Sequence, residues 1–468
     1  MSTTRFTAAA CVAAAGALAL VLAGWDGTAT AAPPDGRILS FANPSGQGRT
    51  LNVNGALDLD NPFFQQLGTN GRSCVTCHQP DAAWSITPEG VQARLLQSQG
   101  ADPIFRNNDG SNCEGVVTSS IEEQQKAYSL LLTRGLIRVG LDVPPGAEFT
   151  IEGVRNPYQC APGTTDVSAH RRPLPSANLR FLSAVMWDGR ESFSTTTILE
   201  DLTRQANNAT RGHASAFTDL TPEQARQIVD FEMGLFTAQS QDRIAGNLHT
   251  QGARGGPAAL AEEPFFLGIN DPIGLNPAGS PFTPDAFTLF DAWTALPQGA
   301  RSAVIEARRT IGRGQTIFNT KPIVLSGVSG LNGETFSNGV TLPASFSGTC
   351  TVCHDSPNAG NHSVKAPLDI GLTTPDVAPY LPVYTLRNVA TGQTVETTDP
   401  GRALITGKWR DVNRFKGPIL RGLAARAPYF HNGAAATLDE VVEFYDERFG
   451  IGLTQQEKAD LVAFLRAL

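Results

Sequence analysis

Two five-residue stretches carry the densest chemistry in the chain: Cys74-Val75-Thr76-Cys77-His78 and Cys350-Thr351-Val352-Cys353-His354. Cysteines at this spacing can form thioethers to the vinyl groups of one haem, and the adjacent histidine is placed to bind its iron from one side. A redox dithiol, or a zinc site assembled from both pairs, would leave the two histidines unexplained. No βαβ pattern surrounds either copy. The motifs therefore predict two covalently bound haem c groups, attached through Cys74, Cys77, Cys350 and Cys353, with His78 and His354 as iron ligands.

An iron held from one side keeps an opposite position, and its occupant decides between electron transfer and chemistry. No histidine lies between His78 and His170, and after Met1 only Met186 and Met233 remain, both in the first half. For the second iron the candidates are His362, His431 and Tyr445. His362 follows Ser-Pro-Asn-Ala-Gly-Asn and reads as a loop residue. His431 sits on a turn beside Gly433 and could be a ligand, a hydrogen-bond donor or a structural residue. Tyr445 reads either as a core tyrosine with a bonded hydroxyl or as a ligand.

Helices must position these groups. Thr437 with Glu440 is a capping-box signature, and Leu438, Val441, Val442 and Tyr445 fall at i, i+3, i+4 and i+7, so Tyr445 belongs to the inward stripe. Leu220–Phe231 (LTPEQARQIVDF) repeats as Leu453–Phe464 (LTQQEKADLVAF), each with a capping box, which predicts duplication. Allowing one gap, Trp187-Asp188-Gly189 falls opposite His431-Asn432-Gly433. The halves share a frame but differ at this turn, as expected for one reacting and one electron-storing haem. With 46 glycines, 31 prolines and no convincing alternation, the expected fold is mainly α: two cytochrome c-like haem domains with long loops, over residues 33–290 and 291–468.

The 468 residues are 41% hydrophobic and 17% charged, enough for two or three cores. A net charge of -8 argues against nucleic acid and suits docking of a basic redox protein. The start has Arg5, an apolar run and Ala-Thr-Ala-Ala, the layout of a signal peptide over residues 1–32, so an exported chain without a membrane span is expected. Such a compartment permits Cys113 and Cys160 to bond.

The paired motifs, Met-Trp-Asp-Gly-Arg-Glu at 186–191, and the run from Phe415 to Tyr445 together resemble the bacterial di-haem cytochrome c peroxidase and MauG superfamily. In its peroxidases a methionine fourteen residues after the histidine of the turn ligates the second haem; that place holds Tyr445 here, and the MauG-type branch uses tyrosine. The resemblance thus implies His354 and Tyr445 as an axial pair, whose phenolate would stabilise ferric and higher states. It assigns Trp187 as the bridge between haems. Gln205 resembles the family glutamine over the reacting iron, although the gap after Trp187 is longer. No glutamate follows at the family distance, which leaves His213 or a displaced carboxylate such as Glu223 to move the peroxide proton. Lacking the family's loop histidine, the first haem is expected to be five-coordinate. A calcium ion between domains, near the Ala427-Pro428-Tyr429 turn, is a further implication, with its upstream asparagine replaced near Pro173.

These expectations describe a periplasmic peroxidase that reduces hydrogen peroxide with electrons from a cytochrome c or cupredoxin. The alternatives are a MauG-like enzyme oxidising a partner protein, a substrate oxygenase as in the distantly similar rubber oxygenases, and a passive di-haem electron carrier.

Overall fold

The computed structural model describes residues 36–160, 165–297, 299 and 302–468. The expected signal peptide, residues 1–32, lies outside them.

The architecture is mixed rather than mainly α: helices make up 30% and strands 17%. Strands β1 (Ile38–Asn43), β2 (Gly46–Asn52), β6 (Leu235–Asp242) and β7 (Gly246–Asn247) form one antiparallel sheet in the order β1-β2-β6-β7. A second sheet has the order β11-β10-β4, with β4 (Phe149–Arg155), β10 (Val383–Asn388) and β11 (Thr394–Thr397). Two-stranded pairs join β3 (Ile137–Asp142) to β5 (Asp166–Arg171), and β8 (Ile323–Ser326) to β9 (Ser345–Gly348). The local signals are short. Asn43-Pro44-Ser45-Gly46 closes the β1–β2 hairpin, where Gly46 takes a φ of 143° and a Cβ would run into the Gln241 carbonyl. In β4, Phe149 and Ile151 point inward while Thr150 and Glu152 face solvent. Because β4 pairs with β10, far along the chain, no local window reveals the sheet.

Helices carry the cores around the motifs. The longer ones are α1 (Pro88–Ser98), α2 (Ile198–Gly212), α3 (Pro222–Gly234), α4 (Ala303–Thr320), α5 (Leu438–Phe449) and α6 (Gln455–Arg466). The repeated helices are α3 and α6, each closed by a reciprocal capping box, Thr221 with Gln224 and Thr454 with Glu457. At α5 the Thr437 hydroxyl caps Glu440 N–H, but the Glu440 carboxylate reaches Ala436 N–H instead of its own cap.

Phe63, Trp84 and Phe231 meet edge-on or tilted beside the first motif, and Phe287, Phe318 and Phe464 do so beside the second. Each such ring buries about 1.5–3 kcal/mol of apolar transfer free energy. Ala245, Leu248, Phe287, Phe290 and Trp293 pack into the core that holds α4 and α6. Cys113 and Cys160 are disulfide-bonded, tying the loop after α1 to the segment after β4. Among the described residues no helix is long and apolar enough to cross a membrane.

Candidate functional site

Both motifs fold as one 3-10 turn, Cys74–Thr76 and Cys350–Val352, which brings each cysteine pair and its histidine to one side. None of the four cysteines is in a disulfide, and burial pushes each thiol above its ordinary pKa. His78 Nδ1 lies 3.1 Å from the Trp84 carbonyl and His354 Nδ1 lies 2.6 Å from the Gly360 carbonyl, six residues downstream in both cases. A carbonyl only accepts, so Nδ1 carries the proton and Nε2 keeps its lone pair. Burial lowers both imidazoles, His78 to about 4, and leaves them neutral. A neutral imidazole with its second nitrogen tied back is the form that ligates a metal.

Beside the first motif lies a cleft with about 1610 Å³ of empty space, its mouth included. Cys74, Cys77, His78, Trp187, Gln205 and His213 all line it. Helix α2 presents Leu202, Gln205, Ala206 and Ala209 to it, the i, i+3, i+4, i+7 face of a helix entered through the Thr197–Glu200 capping box. His213 caps the far end of α2, and its Nδ1 meets Asp109 Oδ2 at 2.5 Å. Arg72 pairs with the other Asp109 oxygen. Burial opposes charge on Asp109, but His213 and Arg72 outweigh it and hold the carboxyl below its usual range. Glu223, the displaced carboxylate, faces solvent in an ion pair with Arg226 and is remote from the cleft lining. A second, more polar cavity with about 710 Å³ of empty space shares Met186, Arg190, Gln205 and His213 with the first.

Tyr445 lies on α5 beside the second motif, half-buried between Phe430 and Phe449. Burial raises its phenol above the ordinary tyrosine range, and the nearby Cys353 and Cys350 push it the same way. His362 is buried 3.6 Å from Asp355, and His170 is buried near the Asn112 carbonyl.

The halves meet at Trp187. Its indole N–H donates to the Arg172 carbonyl at 2.8 Å, its ring meets His431 at 6.1 Å, and Lys416 Nζ stands 5.8 Å from its centroid. The two turn positions aligned in the sequence are thus in contact. His431 stacks on Phe415 at 4.0 Å. Arg171 pairs with Asp188 and Asp399 in the same buried layer. The Arg426 and Ala427 carbonyls, at the turn where the resemblance puts calcium, accept from Arg172, which also donates to the carbonyls of Ile86, Arg134 and Gly135.

Sequence reasoning missed three groups in this region. Lys416, Arg421 and Arg426 are cations lining the first cleft, lowered by burial to about 7, 10 and 10. Nε and Nη2 of Arg421 and Nε of Arg426 have no partner among the described residues. Buried donors of that kind call for an acidic ligand. Glu232 lines the cleft near Cys74, with its carboxyl raised by burial to about 7 against the pull of Ser176. Asp109 is the third, and no local pattern marks it. Paired thiols, a neutral imidazole, apolar helix walls and unmatched cations are a donor set that fits haem, whose vinyl groups, iron and carboxylates need those partners.

No protein-family model matches the chain. It is 37% identical over 137 residues to cytochrome-c peroxidase IdrP2 of Denitromonas iodatirespirans, covering 26% of this chain and 36% of that protein. It is 33% identical over 120 residues to cytochrome c551 peroxidase of Nitrosomonas europaea, covering 25% and 30% respectively. The chain spans about a third of the length of these relatives. A crystal structure of a MauG-like protein associated with microbial copper homeostasis aligns with 94% of this chain and 95% of its own, at 16% identity and a TM-score of 0.38. Over about a quarter of its length, then, the chain is a sequence relative of the bacterial cytochrome-c peroxidases.

Proposed function

We propose that the protein is an exported, periplasmic di-haem c-type peroxidase that reduces hydrogen peroxide with electrons from a small redox protein, a cytochrome c or cupredoxin. The observation that carries this reading is the joint lining of one cleft by Cys74, Cys77, His78, Trp187, Gln205 and His213. Cys74 and Cys77 would attach the first haem and His78 would bind it; Cys350, Cys353 and His354 would do so for the second, and Tyr445 would be a further residue to hold it. Bound haem supplies the redox-active metal. The chain's own groups do the rest. Gln205 orients peroxide, and His213 Nε2 takes a proton from one peroxide oxygen and returns it to the departing one. Two electrons from the redox partner and two protons in all convert one peroxide to two waters. Trp187, in contact with residues of both halves, relays the electrons.

The domains would be residues 33–290, with the reacting haem, and 291–468, with the storing haem. A calcium ion is not part of this reading, because Arg172 already donates to the turn carbonyls. Tyr445 supports a second reading, in which the stored oxidation modifies a partner protein as in MauG-like enzymes.

The test uses purified holoprotein. A high-spin ferric component that binds cyanide, together with peroxide turnover by a reduced cytochrome c or cupredoxin, is expected. Two low-spin haems indifferent to cyanide would identify a passive carrier and overturn the proposal.

A further inference from the structure

We propose that Asp109 is a positioning residue, holding His213 so that its free nitrogen faces the junction of the two cavities and moves the peroxide proton there. The inference rests on the peroxidase reading and names a group which that reading leaves out.

Asp109 is 5% exposed and fixed on every side. Arg72 occupies its Oδ1 and is itself anchored to the carbonyls of Pro103 and Ile104 at 2.8 and 2.7 Å. The Arg138 amide donates to the Asp109 carbonyl at 2.7 Å, and Arg138 Nη2 donates to the neighbouring Asn108 carbonyl at 2.7 Å. The Cys113–Cys160 disulfide pins the same loop four residues on. Only Oδ2 remains, and it faces His213 Nδ1.

A carboxylate accepts and does not donate, so this contact places the imidazole proton on Nδ1 and leaves Nε2 as the base. The His213 backbone is held as well, with Asn70 Nδ2 donating to its carbonyl at 2.7 Å. His213 is not a core histidine: its side chain is 43% exposed and lines both cavities together with Gln205. The charged groups around it are Asp109 and Arg72, with Arg138, Arg190 and Glu191 across the second cavity. That polar cavity offers a route for peroxide and for the second proton. The step balances as before: Nε2 gains a proton from one peroxide oxygen and gives it to the other as the O–O bond breaks, and the redox partner supplies both electrons.

The test compares His213→Gln, Asp109→Asn and Asp109→Glu holoenzymes, each checked for haem content and spectrum. Peroxide kcat/KM across pH and the rate of cyanide association with the ferric protein are the two readouts. His213→Gln is expected to lose about 100-fold or more in kcat/KM. Asp109→Asn is expected to lose at least 10-fold with a displaced pH profile, Asp109→Glu to recover most of it, and the double variant to be no worse than His213→Gln. Asp109→Asn with wild-type kcat/KM and pH profile beside an impaired His213→Gln would overturn the proposal. So would full peroxide turnover in both. Should the wild-type protein fail to reduce peroxide, the peroxidase reading falls, and cyanide association still decides: a pH dependence unchanged by Asp109→Asn sinks the positioning role separately.

Discussion

Glu232 shows how burial can outweigh a hydrogen bond in setting a group's chemistry. It sits in the wall of the first cleft, 5% exposed, with one carboxyl oxygen unpartnered among the described residues. Its folded pKa is raised from 4.5 to about 7. The folded state therefore binds more protons than the unfolded chain between those values, and stability falls as pH rises through that window. Glu232→Gln is expected to stabilise the protein by on the order of 1–3 kcal/mol at pH 8 and to change little at pH 4, as read by denaturant unfolding at both. At the second motif, Tyr445→Phe removes the only hydroxyl on the inward stripe of α5. On the proposed di-haem reading, the expected outcome is an altered spectrum of the haem at this motif and loss of a peroxide-induced near-infrared band, with the fold retained; no change in either would remove Tyr445 from the proposed mechanism.

At the scale of elements, the crossing of α4 and α6 holds the second motif's core. Gly314 makes that crossing close, since a Cβ there would run into the Asp460 carbonyl and Phe464. Gly314→Val should cost about 1–3 kcal/mol or prevent the fold, seen as a lowered Tm, because neither backbone can retreat. The Cys113–Cys160 bond acts on the other half, closing a loop with a sequence separation of 47. Replacing both cysteines with serine should cost about 2–4 kcal/mol and loosen the Asp109 loop, measurable by unfolding and by hydrogen exchange at residues 103–116.

For the whole molecule, Arg172 is the joint between the halves. It is buried, lowered by desolvation to about 9, and has carbonyls from Ile86, Arg134, Gly135, Arg426 and Ala427 around one guanidinium. Treatment with a calcium chelator is expected to leave Tm and haem spectra unchanged, whereas Arg172→Met, which strands those acceptors, should lower stability by about 2–5 kcal/mol. The sheet β11-β10-β4 crosses the same divide, as does the contact of Trp187 with His431.

What could be read from the chain alone followed from proximity in sequence. The haem-type motifs, the capped helices α3, α5 and α6, and the turns at Trp187 and His431 are each written within a dozen residues, where spacing and side-chain chemistry suffice. The pairings of β4 with β10 and of β2 with β6 escaped because their partners lie far apart along the chain, while the hairpins β1–β2 and β10–β11 are local but too short to show a sustained apolar alternation. Asp109, Glu232 and the Lys416, Arg421 and Arg426 cluster escaped for the first of these reasons. A carboxylate or a cation becomes remarkable only once folding strips its water and chooses its neighbours, and that choice was made by the tertiary structure.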